Sequence, residues 1–151
     1  MKTMNLNVVQ IFLVLSFSLC YTLLFSQEKS VQEQLMSKNW MHDATESRLF
    51  CVEINYEKTE CIQYIILKKK GTGIHFVYYL SDSIETQFDN SKVGKKTNGK
   101  YIVYSYTGEK NDSFFIDEIL ELTDHLFKHK SIKGDGEGKV HIARGVPKEN
   151  K

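Results

Sequence analysis

The sequence predicts a mainly β, antiparallel domain, and three observations carry that expectation. First, apolar side chains recur at every second position along several runs; Phe50, Val52, Ile54 and Tyr56, for example, alternate with Cys51, Glu53 and Asn55. Such a period of two places one set of side chains on one face of a strand. Second, aromatic residues make up 12% of the chain, with eight Tyr and nine Phe. Flat rings suit the pleated, half-buried surface of a sheet. Third, short turn signals rich in Gly, Asn, Asp and Ser separate the runs, while the single proline, Pro147, stands near the end.

The elements follow in order. Lys2 precedes an apolar run from Val8 to Phe25, and polarity resumes at Ser26-Gln27-Glu28-Lys29. This is the layout of a secretory signal peptide over residues 1–26, with Leu24 at −3 and Ser26 at −1 of the cleavage point. Two alternatives stay open. The 18 residues, apolar apart from Gln10, Ser16, Ser18, Cys20 and Thr22, are about the shortest run that spans a bilayer, so the segment could be a retained anchor. Cys20 in Phe17-Ser18-Leu19-Cys20 could be lipidated, although Leu19 stands where a small residue is usual. Export places the protein in a secreted or periplasmic compartment; membrane attachment follows only from retention or lipidation.

Residues 27–38 form a lead-in. Ser30-Val31-Gln32-Glu33 fits a capping box, in which Ser30 caps and Glu33 reaches back, and opens a short helix to about Ser37. Strands then follow through Phe50–Tyr56, Ile62–Ile66 and Ile74–Leu80. Lys68-Lys69-Lys70-Gly71 reads as a solvated turn, and Ser81-Asp82-Ser83 as a break. Asn98-Gly99 reads as a type I′ hairpin turn between Lys92–Thr97 and Lys100–Thr107. The stretch Phe114–Lys130 is ambiguous. Ile116, Ile119, Leu120, Thr123, Leu126 and Phe127 fit helical spacing, but a turn at Thr123-Asp124-His125 would split the segment into two strands. The hairpins around it favour two strands. A glycine-rich connection, Gly134 to Gly138, leads to Val140-His141-Ile142-Ala143-Arg144.

Four stretches resemble the small secreted lipocalin-like domains of Bacteroidetes. Leu35-Met36-Ser37-Lys38-Asn39-Trp40 is similar to that family's entry helix and first-strand tryptophan, with Lys38 in the place of its usual glycine. Cys61-Ile62-Gln63-Tyr64-Ile65-Ile66-Leu67-Lys68-Lys69-Lys70-Gly71-Thr72 is similar to a strand closing in a polar-Gly-Thr turn. Ile119-Leu120-Glu121-Leu122-Thr123-Asp124-His125-Leu126 is similar to its late hairpin, and Val140–Arg144 to its closing strand. The resemblance implies an antiparallel up-and-down β-barrel of about eight strands over residues 39–145, followed by a tail, 146–151. It also implies that Trp40 stacks on Arg144 to close one end of the barrel.

The chemistry the sequence excludes is as informative. Formal net charge is +1, and removing the leader takes away Lys2 and no acidic residue. A near-neutral chain lacks the basic excess of a nucleic-acid binder. Cys51 and Cys61 remain in the exported part, where one disulfide is an option; two unpaired thiols are the alternative. His125 and His129 could share a metal on a helix, but on a strand they stand roughly 13 Å apart, so no metal is expected. Gly94-Lys95-Lys96-Thr97 lacks the upstream glycine of a phosphate loop, and Asp135 and Glu137 match no EF-hand. Asn111-Asp112-Ser113 is a glycosylation sequon, relevant only in a eukaryotic secretory pathway. No nucleophile–base set can be assembled, so no enzyme activity and no cofactor are expected.

Two functions follow. One is a monomeric binding domain with a small hydrophobic molecule among Phe50, Val52, Tyr64, Ile66, Phe76, Tyr78 and Tyr104. The other is an envelope or secreted protein-interaction domain, in which those rings fill the barrel and exposed rings such as Tyr79 meet a partner.

Overall fold

The structure, a computed structural model, describes residues 28–42, 51–67, 70–107, 113–134 and 136–148, except the side chains of Cys51 and of residues 65–72. The leader with Cys20, and Phe50, Lys68, Lys69, Asn111 and Asp135, lie outside the described residues. Eight strands form one closed barrel in the order of the chain: β1 (Lys38–His42), β2 (Cys51–Tyr56), β3 (Glu60–Leu67), β4 (Lys70–Ser81), β5 (Tyr101–Tyr106), β6 (Phe114–Leu122), β7 (Leu126–Lys133) and β8 (Val140–Pro147). Every neighbouring pair is antiparallel, and β8 returns to β1 through Trp40↔Gly145 and Met41↔Arg144. Closure leaves no unpaired sheet edge.

A helix, α1 (Val31–Met36), plugs one end. The Ser30 hydroxyl accepts from the Glu33 N–H, and the Ser30 N–H donates to the Glu33 carboxylate at 2.8 Å, completing the capping box. Two side-chain hydrogen bonds pin the helix to the barrel. The Gln32 side chain donates to the Lys58 carbonyl at 2.7 Å, and the indole N–H of Trp40 donates to the Leu35 carbonyl at 2.8 Å. Leu35, Trp40, Tyr56, Tyr78, Leu80, Ile102 and Phe127 fill this end. Ala143 and Gly145 keep β8 thin there: a Cβ on Gly145 would stand 2.9 Å from the Asp124 carbonyl and 3.3 Å from the Trp40 ring. Among the described residues no helix is long and apolar enough to cross a membrane.

Several expectations need correction. Trp40 and Arg144 do not stack. Trp40 faces inward against Gly145 and meets Phe127 edge-on at 5.5 Å, while Arg144 pairs with Met41 on the outer face. The bridge between Cys51 and Cys61 is not formed: Cys61 is a buried free thiol. Register explains why. Cys61 opposes Tyr56 and Cys51 opposes Ile66, five positions along the strands, or roughly 17 Å, far beyond disulfide reach.

Asn98-Gly99 makes no hairpin. Lys92–Thr97 offers only Val93 for burial, so β5 pairs with β4 instead, and residues 82–100 form a long connection with a 3-10 turn at Asn90–Lys92. Asn98 accepts a hydrogen bond from the Val31 N–H at 2.9 Å and so serves the start of α1. The same connection covers Tyr79. Rather than standing exposed, that ring is 2% accessible in a second cluster with Phe88, Val103, Phe114 and Ile116 on the outer face of β4, β5 and β6.

The segment left open between helix and hairpin is a hairpin. Thr123 closes its turn, with its hydroxyl accepting from the His125 and Leu126 N–H groups.

Candidate functional site

The barrel is filled at the α1 end and hollow at the other, from which the β1–β2, β3–β4, β5–β6 and β7–β8 connections depart. Inward side chains at the hollow end fall into two walls. Val52 and Ile54 on β2, Ile74 and Phe76 on β4, Tyr106 on β5 and Phe115 on β6 make an apolar wall. Phe76 stacks on Tyr106 at 4.8 Å, Tyr104 stacks on Phe115 at 5.2 Å, and Phe76 meets Phe115 edge-on at 6.0 Å. The cavity measures about 840 Å³ with its open mouth. Leu126, Val140, Ile142 and Arg144, on the outer face of β7 and β8, also border that volume, so the enclosed part is smaller.

The second wall is polar. His42 on β1, His129 on β7 and His141 on β8 form a triangle of rings, with centroids 5.2 Å (His42–His129), 5.2 Å (His129–His141) and 6.0 Å (His42–His141) apart. Strand pairing assembles it: His129 is directly opposite His141, and His42 is opposite Ala143, one inward position along β8. Phe127 stacks on the other face of His129 at 4.6 Å.

Asp117 joins the two walls. Its Oδ2 lies 3.0 Å from His129 Nδ1 and accepts from the Tyr104 hydroxyl at 3.1 Å. Asp117 and His129 are each only 5% accessible. The His129 contact is close but poorly aligned, and neither ring nitrogen makes a well-formed hydrogen bond. Gln63 and Ser131 add further polar groups to the lining.

Burial sets the charge states. It pushes the His42 imidazole down to about 3, with the neighbouring His129 and His141 acting in the same direction and Asp117 opposing. His141 is lowered by burial and then by His129. The Tyr104 hydroxyl is raised well above its ordinary value by burial and by Asp117. Among the described residues, no group of three or more His, Cys, Asp or Glu side chains is set to hold a metal ion.

Of the seven residues expected to line a ligand site, Val52, Phe76 and Tyr104 do so. Tyr78 sits deeper, in the plugged end, where its hydroxyl donates to the Glu57 carbonyl at 2.7 Å. Tyr64 alternates to the outer face, because Cys61 and Gln63 take the inward phase of β3. Ile66 is paired in β3, but its side chain, like all of Phe50, lies outside the described residues. His42, Asp117, His129 and His141 were not anticipated at the site. The parity of Phe127, His129 and Ser131, and of His141 and Ala143, carries the signal for two of them. No family model, no curated protein and no solved structure matches this chain.

Proposed function

We propose that this protein is an exported, lipocalin-like binding domain that holds one small, mostly apolar molecule in the hollow end of its barrel. The observation that carries the reading is the division of the interior. One end is packed solid by Trp40, Phe127 and Leu35, while the other keeps a cavity between an aromatic wall and a polar cluster. Small-molecule sites typically occupy roughly 300–1,000 Å³, are mainly apolar and carry a few fixed polar groups. The ligand's body packs between Phe76, Tyr106 and Phe115, and its polar end meets the histidine wall. The domain works as a monomer and performs no chemistry on its ligand.

The test is titration of the purified protein with N-phenyl-1-naphthylamine, an uncharged dye that brightens in apolar surroundings. Saturable binding at one site per chain is expected, and Ile74→Trp, which fills the cavity, should abolish it while leaving the circular dichroism spectrum intact. Unsaturable binding, or binding indifferent to Ile74→Trp, would refute the proposal. Export has its own readout: the N-terminus of the mature protein should be Gln27.

A second reading rests on the outer face of β8, where Val140, Ile142 and Val146 are 49%, 48% and 41% accessible. That stripe suits an envelope protein, and this reading would gain if the dye finds no saturable site.

A further inference from the structure

We propose that the molecule in the cavity presents a hydrogen-bond donor, best a protonated amine, to Nε2 of His129. This rests on the binding-domain reading and adds the chemical class of the ligand.

The argument starts at the Asp117–His129 contact. Asp117 Oδ2 is already an acceptor, taking the hydrogen bond of the Tyr104 hydroxyl. A bare Nδ1 lone pair 3.0 Å from its Oδ2 would be repelled, so Nδ1 carries the ring's proton. With the ring's proton on Nδ1, Nε2 is the acceptor. That atom is buried and has no partner. Buried acceptors are almost always satisfied, and leaving one bare carries a desolvation cost. His141 lies against the face of His129 and His42 meets it edge-on, and neither bonds Nε2. A donor arriving with the ligand satisfies it.

Charge points the same way. Among the described residues, Asp117 is the carboxylate of the inner wall, and Arg144, the one lysine or arginine bordering the cavity, stands on the outer face. Burial holds His42 and His141 in their neutral forms at neutral pH. A cation entering this interior therefore meets the Asp117 carboxyl group. A carboxylate meets repulsion, magnified by the low dielectric of the cavity. Fatty acids, equal to amines in chain length and shape, are accordingly poor ligands.

The experiment compares octylamine, octanol and octanoate as competitors for the bound dye at pH 8. Octylamine should compete best, octanol next, and octanoate at least tenfold more weakly than the amine. Asp117→Asn removes the charge and frees Nδ1 from holding the proton, so the amine-to-carboxylate ratio should fall below threefold. Octanoate matching octylamine while the dye binds normally would overturn this inference and leave the binding-domain reading standing. Failure of the dye itself to bind would remove both. Zinc, titrated alone, should not bind; micromolar binding lost in His129→Ala would show that Nε2 serves a metal ion, and would overturn the inference. The wild-type competition needs no variant, so it decides even if Asp117→Asn fails to fold.

Discussion

His42 shows how one buried side chain makes the whole fold sensitive to acid. In the unfolded chain an imidazole takes up its proton near pH 6.5; in the folded barrel His42 resists until about pH 3. Between those values the unfolded state binds more protons, so stability falls as pH drops through the window. The limit of the effect is about 5 kcal/mol, with the opposing pull of Asp117 already included in the shift. His141 shifts in the same direction and adds to it. Urea unfolding midpoints should therefore decline between pH 7 and pH 4, and His42→Phe should make that decline shallower; equal slopes would contradict the assignment. At this scale the sequence was partly legible. His129 shares parity with Phe127 and Ser131, which marks it as inward, yet a histidine among Lys128 and Lys130 reads as surface. Its partner Asp117 likewise shares parity with Phe115 and Ile119, yet an acid on a strand reads as surface.

Breaks in alternation belong to the elements. The β6–β7 register shifts between Ile116 and Asp117 and again between Ile119 and Glu121. A bulge inserts one residue and changes which face the following side chains take. Ile119 and Leu122, three apart, consequently both pack on the barrel core, and a three-residue interval in a strand imitates helical spacing. Periodicity could not separate helix from hairpin here, whereas the local turn chemistry of Thr123 could. Helix α1 is the opposite case, since its capping box is explicit in Ser30 and Glu33 and forms as read. With six residues it cannot persist by itself and depends on its cap and its packing. Ser30→Ala should cost about 1 kcal/mol, and Leu35→Ala roughly 2–5 kcal/mol, both measured by chemical denaturation. Asn98-Gly99 misleads for a related reason: a turn dipeptide selects a hairpin only when both flanks have apolar faces to bury, and Lys92–Thr97 does not.

The whole barrel divides its labour between two ends, and that division is beyond a one-dimensional pattern. Alternation identifies strands, but β3 and β4 carry apolar residues in both phases, so the inward phase is decided by what lies across the sheet. On β4 the second phase, including Tyr79, is claimed by the cover of residues 82–100; on β3 the inward phase goes to Cys61 and Gln63, leaving Tyr64 outside. A one-residue change of phase turns every side chain of a strand to its other face. The two ends should also separate in experiment. Phe127 is fully buried between Trp40, Tyr56 and His129, so Phe127→Ala should cost about 3–5 kcal/mol. Phe115 is partly buried at the mouth and leans on Phe76 and Tyr104. Phe115→Ala removes fewer packed contacts and should cost roughly 1–2 kcal/mol, while weakening dye binding at least fivefold. The two measurements, a denaturation midpoint and a dye dissociation constant, should thus rank these variants in opposite orders, because packing at the plugged end holds the barrel shut and packing at the hollow end holds the ligand.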